Sequence, residues 1–257
     1  MKTKIILVAT LILLICTTAF AVPINPFNTR PVPVTIPSPD GTGKDLQTIL
    51  DTLFGVGVIN ATTDQQSAGM WGSTTLYLPN IAPRLVFEYA GLHNANIFGI
   101  WSGSDTDSIT TLDVFLGAAT PGTVASLQWD VTNTFLTISG TAGLVNNTTV
   151  TGINPFSFGF YLRRDNGPTF FTVDQINALT EAHALAYLRP SSDTWAFAFE
   201  DLAFFDSQGH LLADKDYNDM VVKVESIQPA VPEPATMLLL GSGLIGLAGF
   251  ARRRFKK

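Results

Sequence analysis

The sequence predicts a mainly β protein, an antiparallel β-sandwich of jelly-roll-like type with one or two short helices. Two observations favour this class. Several short runs alternate apolar with polar or small side chains at period two, as half-buried strands do. Clusters of glycine, asparagine, aspartate and proline separate these runs at the spacing of turns. The stretch that carries them, residues 74–227, is about 155 residues long, which is enough for one domain with a core of its own.

The strand-like runs are spread over the whole of that stretch. In the clearest of them, Trp195, Phe197 and Phe199 point to one side, and Ala196, Ala198 and Glu200 point to the other. The runs lie at residues 84–89, 97–101, 110–116, 123–129, 135–139, 156–160, 195–200 and 220–225. Many short strands at this spacing are typical of a sandwich.

Two segments have a helical pattern. Residues 46–54 place Leu46, Ile49, Leu50, Leu53 and Phe54 on one face, which predicts a short helix. Thr172 and Gln175 have the spacing of a capping box, in which the threonine precedes a helix and the glutamine lies in its first turn. We therefore expect a short surface helix at residues 173–184.

The N-terminus is predicted to be a secretory signal peptide, residues 1–21, that forms a helix. Two lysines precede an apolar run at residues 5–15, and Ala19, Phe20 and Ala21 form a small-x-small cleavage site. Cys16, the only cysteine, would leave with the peptide, so disulfides and thiol catalysis are excluded from the mature chain. Residues 22–45 are rich in proline and predict a linker.

The C-terminus combines a short polar motif, an apolar run and a basic end. The motif is Val231, Pro232, Glu233 and Pro234, and the basic end includes Arg252, Arg253 and Arg254. The run between them, residues 235–251, would be roughly 25 Å long as a helix, which is the lower end of what crosses a bilayer. The basic residues should stay cytoplasmic, so the rest of the chain lies on the other side. An ordinary single-span anchor is the alternative.

This tail resembles the PEP-CTERM sorting tail of exported bacterial proteins in all three parts. The resemblance implies an exosortase-type sorting enzyme as partner and transient anchoring in the inner membrane through a C-terminal transmembrane helix. Release to the cell surface or the extracellular matrix would follow. The predicted organisation is therefore a signal peptide (1–21), a linker (22–45), a β-sandwich domain (46–228) and a sorting and anchor segment (229–257).

The charge of the mature chain excludes nucleic acid as a partner. Residues 22–234 hold eight basic and twenty-one acidic side chains, a net charge of −13. Such a surface repels polyanions and attracts cations. Aspartate outnumbers glutamate by sixteen to five among these acids, a bias that suits turns and oxygen-ligand metal sites.

One segment concentrates oxygen-bearing side chains between two predicted strands. They are Glu200, Asp201, Asp214, Asp216, Asn218 and Asp219. Ca²⁺ takes six to eight oxygen ligands from such groups, and the segment therefore predicts a calcium site. It is not an EF-hand, because the required glycine and final glutamate are missing. Glu200 and Asp201 would point to opposite faces of a strand, so at most one of them joins the site unless the strand ends there. We expect Glu200 to turn toward the loop. A solvated acidic hairpin is the alternative.

The same segment resembles the closing signature of a bacterial surface-protein domain of unknown function. The residues concerned are Phe199 to Leu202 and Asp214 to Val221. The resemblance implies calcium binding at the acidic signature. The sequence departs from the commoner pattern at residues 208–213, where a glycine-rich turn is usual.

The sequence favours a structural or adhesive role without catalysis, stabilised by calcium. No nucleophile elbow, phosphate loop, dinucleotide fingerprint or zinc motif is present. Two alternatives remain open. The first is a carbohydrate-binding module for an exopolysaccharide of a biofilm. This function would need aromatic side chains exposed on one sheet face, and the four tryptophans of the chain are candidates. The second is a secreted hydrolase with a pair of carboxylates in a cleft.

Overall fold

Five parts of the chain are described by the computed structural model: residues 30–74, 84–88, 95–103, 108–164 and 167–230. For residues 84–88 the description is of the backbone alone. These parts contain one α-helix and fourteen strands. The elements are α1 (Leu46–Phe54), β1 (Gln66–Ser67), β2 (Trp71–Ser73), β3 (Arg84–Glu88), β4 (Asn96–Ser102), β5 (Thr110–Phe115), β6 (Ala125–Trp129), β7 (Phe135–Gly140), β8 (Thr148–Thr151), β9 (Gly159–Arg164), β10 (Thr169–Phe171), β11 (Ala184–Leu188), β12 (Trp195–Phe199), β13 (Met220–Val224) and β14 (Ile227–Pro229).

The strands form antiparallel sheets. The largest has the order β1-β11-β12-β13-β3, and a four-stranded sheet has the order β10-β9-β4-β5. Strands β6, β7 and β8 form a third sheet, and β14 pairs with β2. The prediction of a mainly β, antiparallel fold with a short helix is confirmed. The jelly-roll-like connection of the strands stays a prediction.

The main core lies between the five-stranded and four-stranded sheets. The Phe197 ring of β12 lies 5.0 Å from that of Phe160 on β9, and the Phe199 ring lies 5.9 Å from that of Phe98 on β4. The third sheet closes the same core, where the Trp129 ring stacks on Phe158 at 5.4 Å. Aromatic pairs at these distances bury large apolar areas, so the two sheets are held face to face by their rings.

A second core covers the other face of the five-stranded sheet. Leu46, Ile49, Leu50 and Phe54 of α1 pack there against Leu185, Tyr187 and Val221 of the sheet. Asp45 begins the helix by accepting a hydrogen bond from the Thr48 amide at 3.0 Å, and Gly55 ends it with φ of 103°. Because both faces of this sheet are covered, all five residues of β12 are buried.

The predicted helix at residues 173–184 is wrong. Two 3₁₀ turns, Asp174–Ile176 and Ala178–Thr180, occupy the segment, and β11 begins at Ala184. The side chain of Asn177 accepts from the Phe171 amide and donates to the carbonyls of Phe171 and Glu181. These bonds compete with the helical pattern. Leu179 and Thr180 also have positive φ angles, which end any right-handed helix.

The predicted strands agree with the observed ones at most positions. The exception is the run at residues 156–160, where β9 begins only at Gly159. Phe158 forms an isolated bridge with Trp71, and Phe156 lies in a turn with 53% of its surface exposed. The alternation of phenylalanines in this run therefore extends beyond the strand.

Part of the predicted proline-rich linker packs on the domain. We call residues 30–45 the N-terminal strap. Its Val32 is buried in the second core, and its Ser38 is buried at the loop that precedes β13. The predicted signal helix and transmembrane helix lie outside the described residues. Within the residues that the structure describes, no helix is both long and apolar enough to cross a membrane.

Candidate metal centre

The loop between β12 and β13, residues 200–219, brings five carboxylates together in two overlapping groups. The outer group is Glu200, Asp214 and Asp216, and the inner group is Glu200, Asp201 and Asp219. In each group one carboxylate oxygen per residue lies within 4.8 Å of the other two. Opposite ligands of a Ca²⁺ ion are about 5 Å apart, so each group is compact enough to surround one ion.

The outer group depends on an unusual backbone at residues 214–218. Lys215 and Tyr217 both have positive φ, at 61° and 54°, an uncommon conformation for residues with a side chain. Tyr217 is buried on the core side, where its hydroxyl donates to the Ala182 carbonyl at 2.8 Å. Lys215 lies over the Phe204 ring, 5.2 Å from its centroid. The Tyr217 side chain is held in the core, whereas Lys215 is partly buried. The carboxylates of Asp214 and Asp216 lie beside that of Glu200.

The inner group forms because β12 ends at Phe199. Beyond that point the strand alternation no longer separates Glu200 from Asp201, and both carboxylates join the cluster. The Asp201 amide donates to Asp219 Oδ2 at 2.7 Å, which ties the start of the loop to its end. Glu200 turns toward the loop as expected and belongs to both groups. Its Oε2 accepts from the Lys215 amide at 3.1 Å.

Most of this cluster is buried. Glu200, Asp201, Asp216 and Asp219 are at most 8% exposed, whereas Asp214 is exposed and opens the outer group to solvent. Among the described residues, no arginine or lysine forms an ion pair with any of the five carboxylates. Buried carboxylates that are close together and lack an ion-pair partner repel one another, and protons or a cation would relieve that repulsion.

The pKa values of the cluster are consistent with that repulsion. Burial raises the pKa of Asp219 to about 8, and the neighbouring Asp201 contributes to the shift. Burial also raises the pKa of Asp216 to about 6. The pKa of Glu200 is well above its ordinary value because of burial, then Asp219 and Asp214. Without a cation, protons therefore neutralise part of the cluster near neutral pH.

Two further residues contact the cluster that sequence reasoning missed. Ser38 of the N-terminal strap donates to Asp216 Oδ2 at 2.5 Å. Asn96, at the start of β4, donates from Nδ2 to Asp201 Oδ2 at 2.9 Å. They precede their partners by 178 and 105 residues, so no local spacing could have revealed them. A cation here would join the loop, the strap and the second sheet.

Asn218 lies beside the outer group, as the sequence suggested. It is fully buried, and its Nδ2 donates to Asp216 Oδ2, to Ser38 Oγ and to the Lys44 carbonyl. Its Oδ1 is buried and has no hydrogen-bond partner among the described residues. An unpaired buried carbonyl oxygen costs free energy, and a cation would satisfy it.

The four tryptophans do not form an exposed strip. Trp71, Trp101, Trp129 and Trp195 are all at most 4% exposed and belong to the packing of the sheets or their edges. They therefore offer no stacking surface to a sugar. Two surface grooves share Gly152 and Asn154 in their linings, and among the described residues neither is lined by a carboxylate. The hydrolase alternative gains no support from these grooves.

Comparison with known proteins gives one match. A family model described as the PEP-CTERM protein-sorting motif matches residues 230–254. The chain carries a PEP-CTERM sorting tail. The predicted tail, with Val231 to Pro234 and the three arginines from Arg252, is confirmed as this motif. No curated protein and no solved structure matches the chain.

The PEP-CTERM tail fixes the general destination of the protein. Such a tail indicates an extracellular protein that an exosortase sorts, with transient anchoring in the membrane. The candidate metal centre consequently belongs to a domain that is exported.

Proposed function

We propose that this PEP-CTERM protein is a structural or adhesive component of the cell surface or extracellular matrix, without catalysis, whose β domain is stabilised by calcium. The observation that carries the proposal is the convergence of five carboxylates, four of them buried, at one loop. Two features of the chain support it. The sorting tail indicates an extracellular protein, and the acidic composition excludes nucleic acid as a partner. The resemblance to a surface-protein domain supports it further.

Calcium would act as a cross-link between parts of the chain that are far apart in sequence. The N-terminal strap reaches the outer group through Ser38, and the four-stranded sheet reaches the inner group through Asn96. A ligand that binds only the folded state raises the free energy of unfolding by about 2.7 kcal/mol at 100 times its dissociation constant. Extracellular calcium modules bind with dissociation constants of about 10⁻⁴ to 10⁻³ M, so a gain of this size needs about 10 mM calcium at the tighter end of that range.

The test is thermal unfolding of the full chain in detergent, with calcium and with chelator, as a function of pH. In chelator, the pKa values of Asp216 and Asp219 are higher in the folded state than in the unfolded state. Between the two values of each group, the carboxyl is protonated when the protein is folded and ionised when it is unfolded. The stability that these protons provide is present below about pH 4 and is lost as the pH rises through about 6 and then 8. We therefore expect the melting temperature in chelator to fall between pH 5 and pH 8.5.

Calcium should reverse that trend, because it binds the ionised carboxylates and displaces their protons. The gain in melting temperature from calcium should grow with pH and reach roughly 5 to 10 °C at pH 8 for about 2.7 kcal/mol. Magnesium at the same concentration should give a smaller gain, since it prefers a smaller octahedral shell and keeps its waters. Equal melting temperatures in calcium and chelator at pH 8 would contradict the proposal.

A second candidate function is binding of an exopolysaccharide, and one observation favours it. A groove of about 320 Å³ is lined by Phe156, by the amides of Asn133 and Asn154 and by neighbouring threonines. Phe156 is half exposed. An exposed ring beside planar amides can stack on a sugar and bond to its hydroxyls.

Replacing Phe156 by alanine should then abolish retention of the protein on immobilised exopolysaccharide without changing its melting temperature. The matched control is Phe135→Ala, since Phe135 is exposed to a similar degree but is outside the lining of the groove. Equal retention of the wild type and both variants would rule out this groove as the sugar site.

A further inference from the structure

We propose that the metal centre holds two cations, one in the outer group and one in the inner group, with Glu200 as a ligand of both. This inference rests on the proposed function, because it concerns the number of calcium ions at the same centre. It predicts one ion near the surface, at Asp214, and a second ion in the interior, at Asp201.

The distances separate the two positions. Only Glu200 belongs to both groups. Within the described parts of the chain, no compact group joins Asp214 or Asp216 with Asp201 or Asp219. Ligands of one Ca²⁺ ion lie about 2.3–2.6 Å from it, so two of them are at most about 5 Å apart. In this arrangement one ion lies close to the three carboxylates of one group, and an ion in the outer group leaves Asp201 and Asp219 buried without a cation of their own.

Asn96 provides an independent indication at the inner group. It is fully buried, and its side-chain amide faces the Asp201 carboxylate. Its Oδ1 has no hydrogen-bond partner among the described residues. A half-turn of the amide would exchange the hydrogen bond from Nδ2 to Asp201 for coordination of an ion by Oδ1 beside the same carboxylate. Carbonyl oxygens of asparagine are ordinary calcium ligands, and a bound ion would satisfy an otherwise unpaired buried oxygen.

The charge of the cluster also favours two ions. When ionised, five carboxylates carry five negative charges, and one divalent ion leaves three of them in a largely buried site. Two ions leave one. Arg164 acts on Asp201 and Lys215 acts on Glu200 at a distance, which offsets part of what remains. Near-neutrality is what a buried ionic site requires in order to be stable.

The test is the number of calcium ions bound per chain. The full chain in detergent is stripped with EGTA and titrated with calcium chloride by isothermal titration calorimetry, with equilibrium dialysis as a second count. We expect two ions per wild-type chain. Asp214→Asn should remove the outer ion and leave one, and Asp201→Asn should remove the inner ion and leave one. Asp206→Asn is the control, because the partly exposed Asp206 bonds with His210 in the same loop and belongs to neither group, and this variant should keep two ions.

The outcomes separate this inference from the proposed function. One ion per wild-type chain would overturn the two-ion inference and leave calcium stabilisation intact. No bound ion would overturn both. Circular dichroism verifies that each variant is folded, and the count on the wild type decides the question even if a variant is not.

Discussion

Replacing Glu200 by glutamine should abolish the calcium-dependent part of the stability, while the chelated protein stays at least as stable as the wild type. Glu200 is the one carboxylate that belongs to both groups, so its loss affects every proposed cation position. In the metal-free state burial, together with the neighbouring Asp219 and Asp214, raises its pKa well above the ordinary value and so favours the neutral side chain. Glutamine is nearly isosteric with that neutral form and can still accept from the Lys215 amide.

The expected result is a reversal of order between two conditions. In 5 mM EGTA at pH 8, Glu200→Gln should melt at or above the wild-type temperature, because a buried carboxyl that resists ionisation has been replaced by a neutral group. In calcium, the wild type should gain roughly 5 to 10 °C and the variant should gain almost nothing. Differential scanning calorimetry of both proteins in both buffers measures the four temperatures.

Glu225→Gln is the matched control for this experiment. Glu225 is exposed and pairs with Lys223 at the surface, an interaction that contributes at most about 1 kcal/mol. Its variant should keep the full calcium gain. If Glu200→Gln kept the full gain as well, the shared carboxylate would have no role in binding calcium.

Replacing Phe197 by alanine should lower the stability about as much as any single change in the core. Phe197 is fully buried in the centre of the five-stranded sheet. Its ring lies 5.0 Å from those of Trp71 and Phe160, so it connects the two sheets. Removing a buried phenylalanine ring typically lowers the free energy of unfolding by about 3–5 kcal/mol, through lost burial and the cavity that remains.

Urea unfolding in saturating calcium measures this loss without interference from the metal centre. Phe156→Ala provides the comparison, since it removes the same atoms from an exposed turn and should change the free energy by less than about 0.5 kcal/mol. If the two variants were equally stable, the assignment of Phe197 to the core between the sheets would be wrong.

Elements whose pattern repeats locally were predicted well. The helix has the bounds Leu46–Phe54 that its apolar positions indicate, because its face is defined within nine residues. Strands β12 and β13 were also identified from their alternation. The segment at residues 173–184 had a helical pattern too, but the bonds of Asn177 to Phe171 and Glu181 determine its conformation. Those bonds depend on β10, which the spacing of apolar residues does not reveal.

The carboxylates of the candidate metal centre could be identified from the sequence, but their arrangement could not. The density of acids from Glu200 to Asp219 indicated a cation site, because like charges so close together in sequence need compensation. The sequence could not place Asp201 beside Glu200, since that depends on β12 ending at Phe199. Ser38 and Asn96 could not be found at all, because their contacts form only when distant segments meet.

The sequence by itself determined the destination of this protein and the type of its fold. The sorting tail is defined by the order of a few contiguous residues, and the antiparallel sheets by alternation over five or six residues, so neither depends on distant contacts. Only the tertiary structure decided which oxygens lie together, which are buried, and that they divide into two groups around Glu200. The physical reason is that burial and charge proximity are set by the packing of the strap and both sheets around one loop, and these segments are separated by more than a hundred residues of chain.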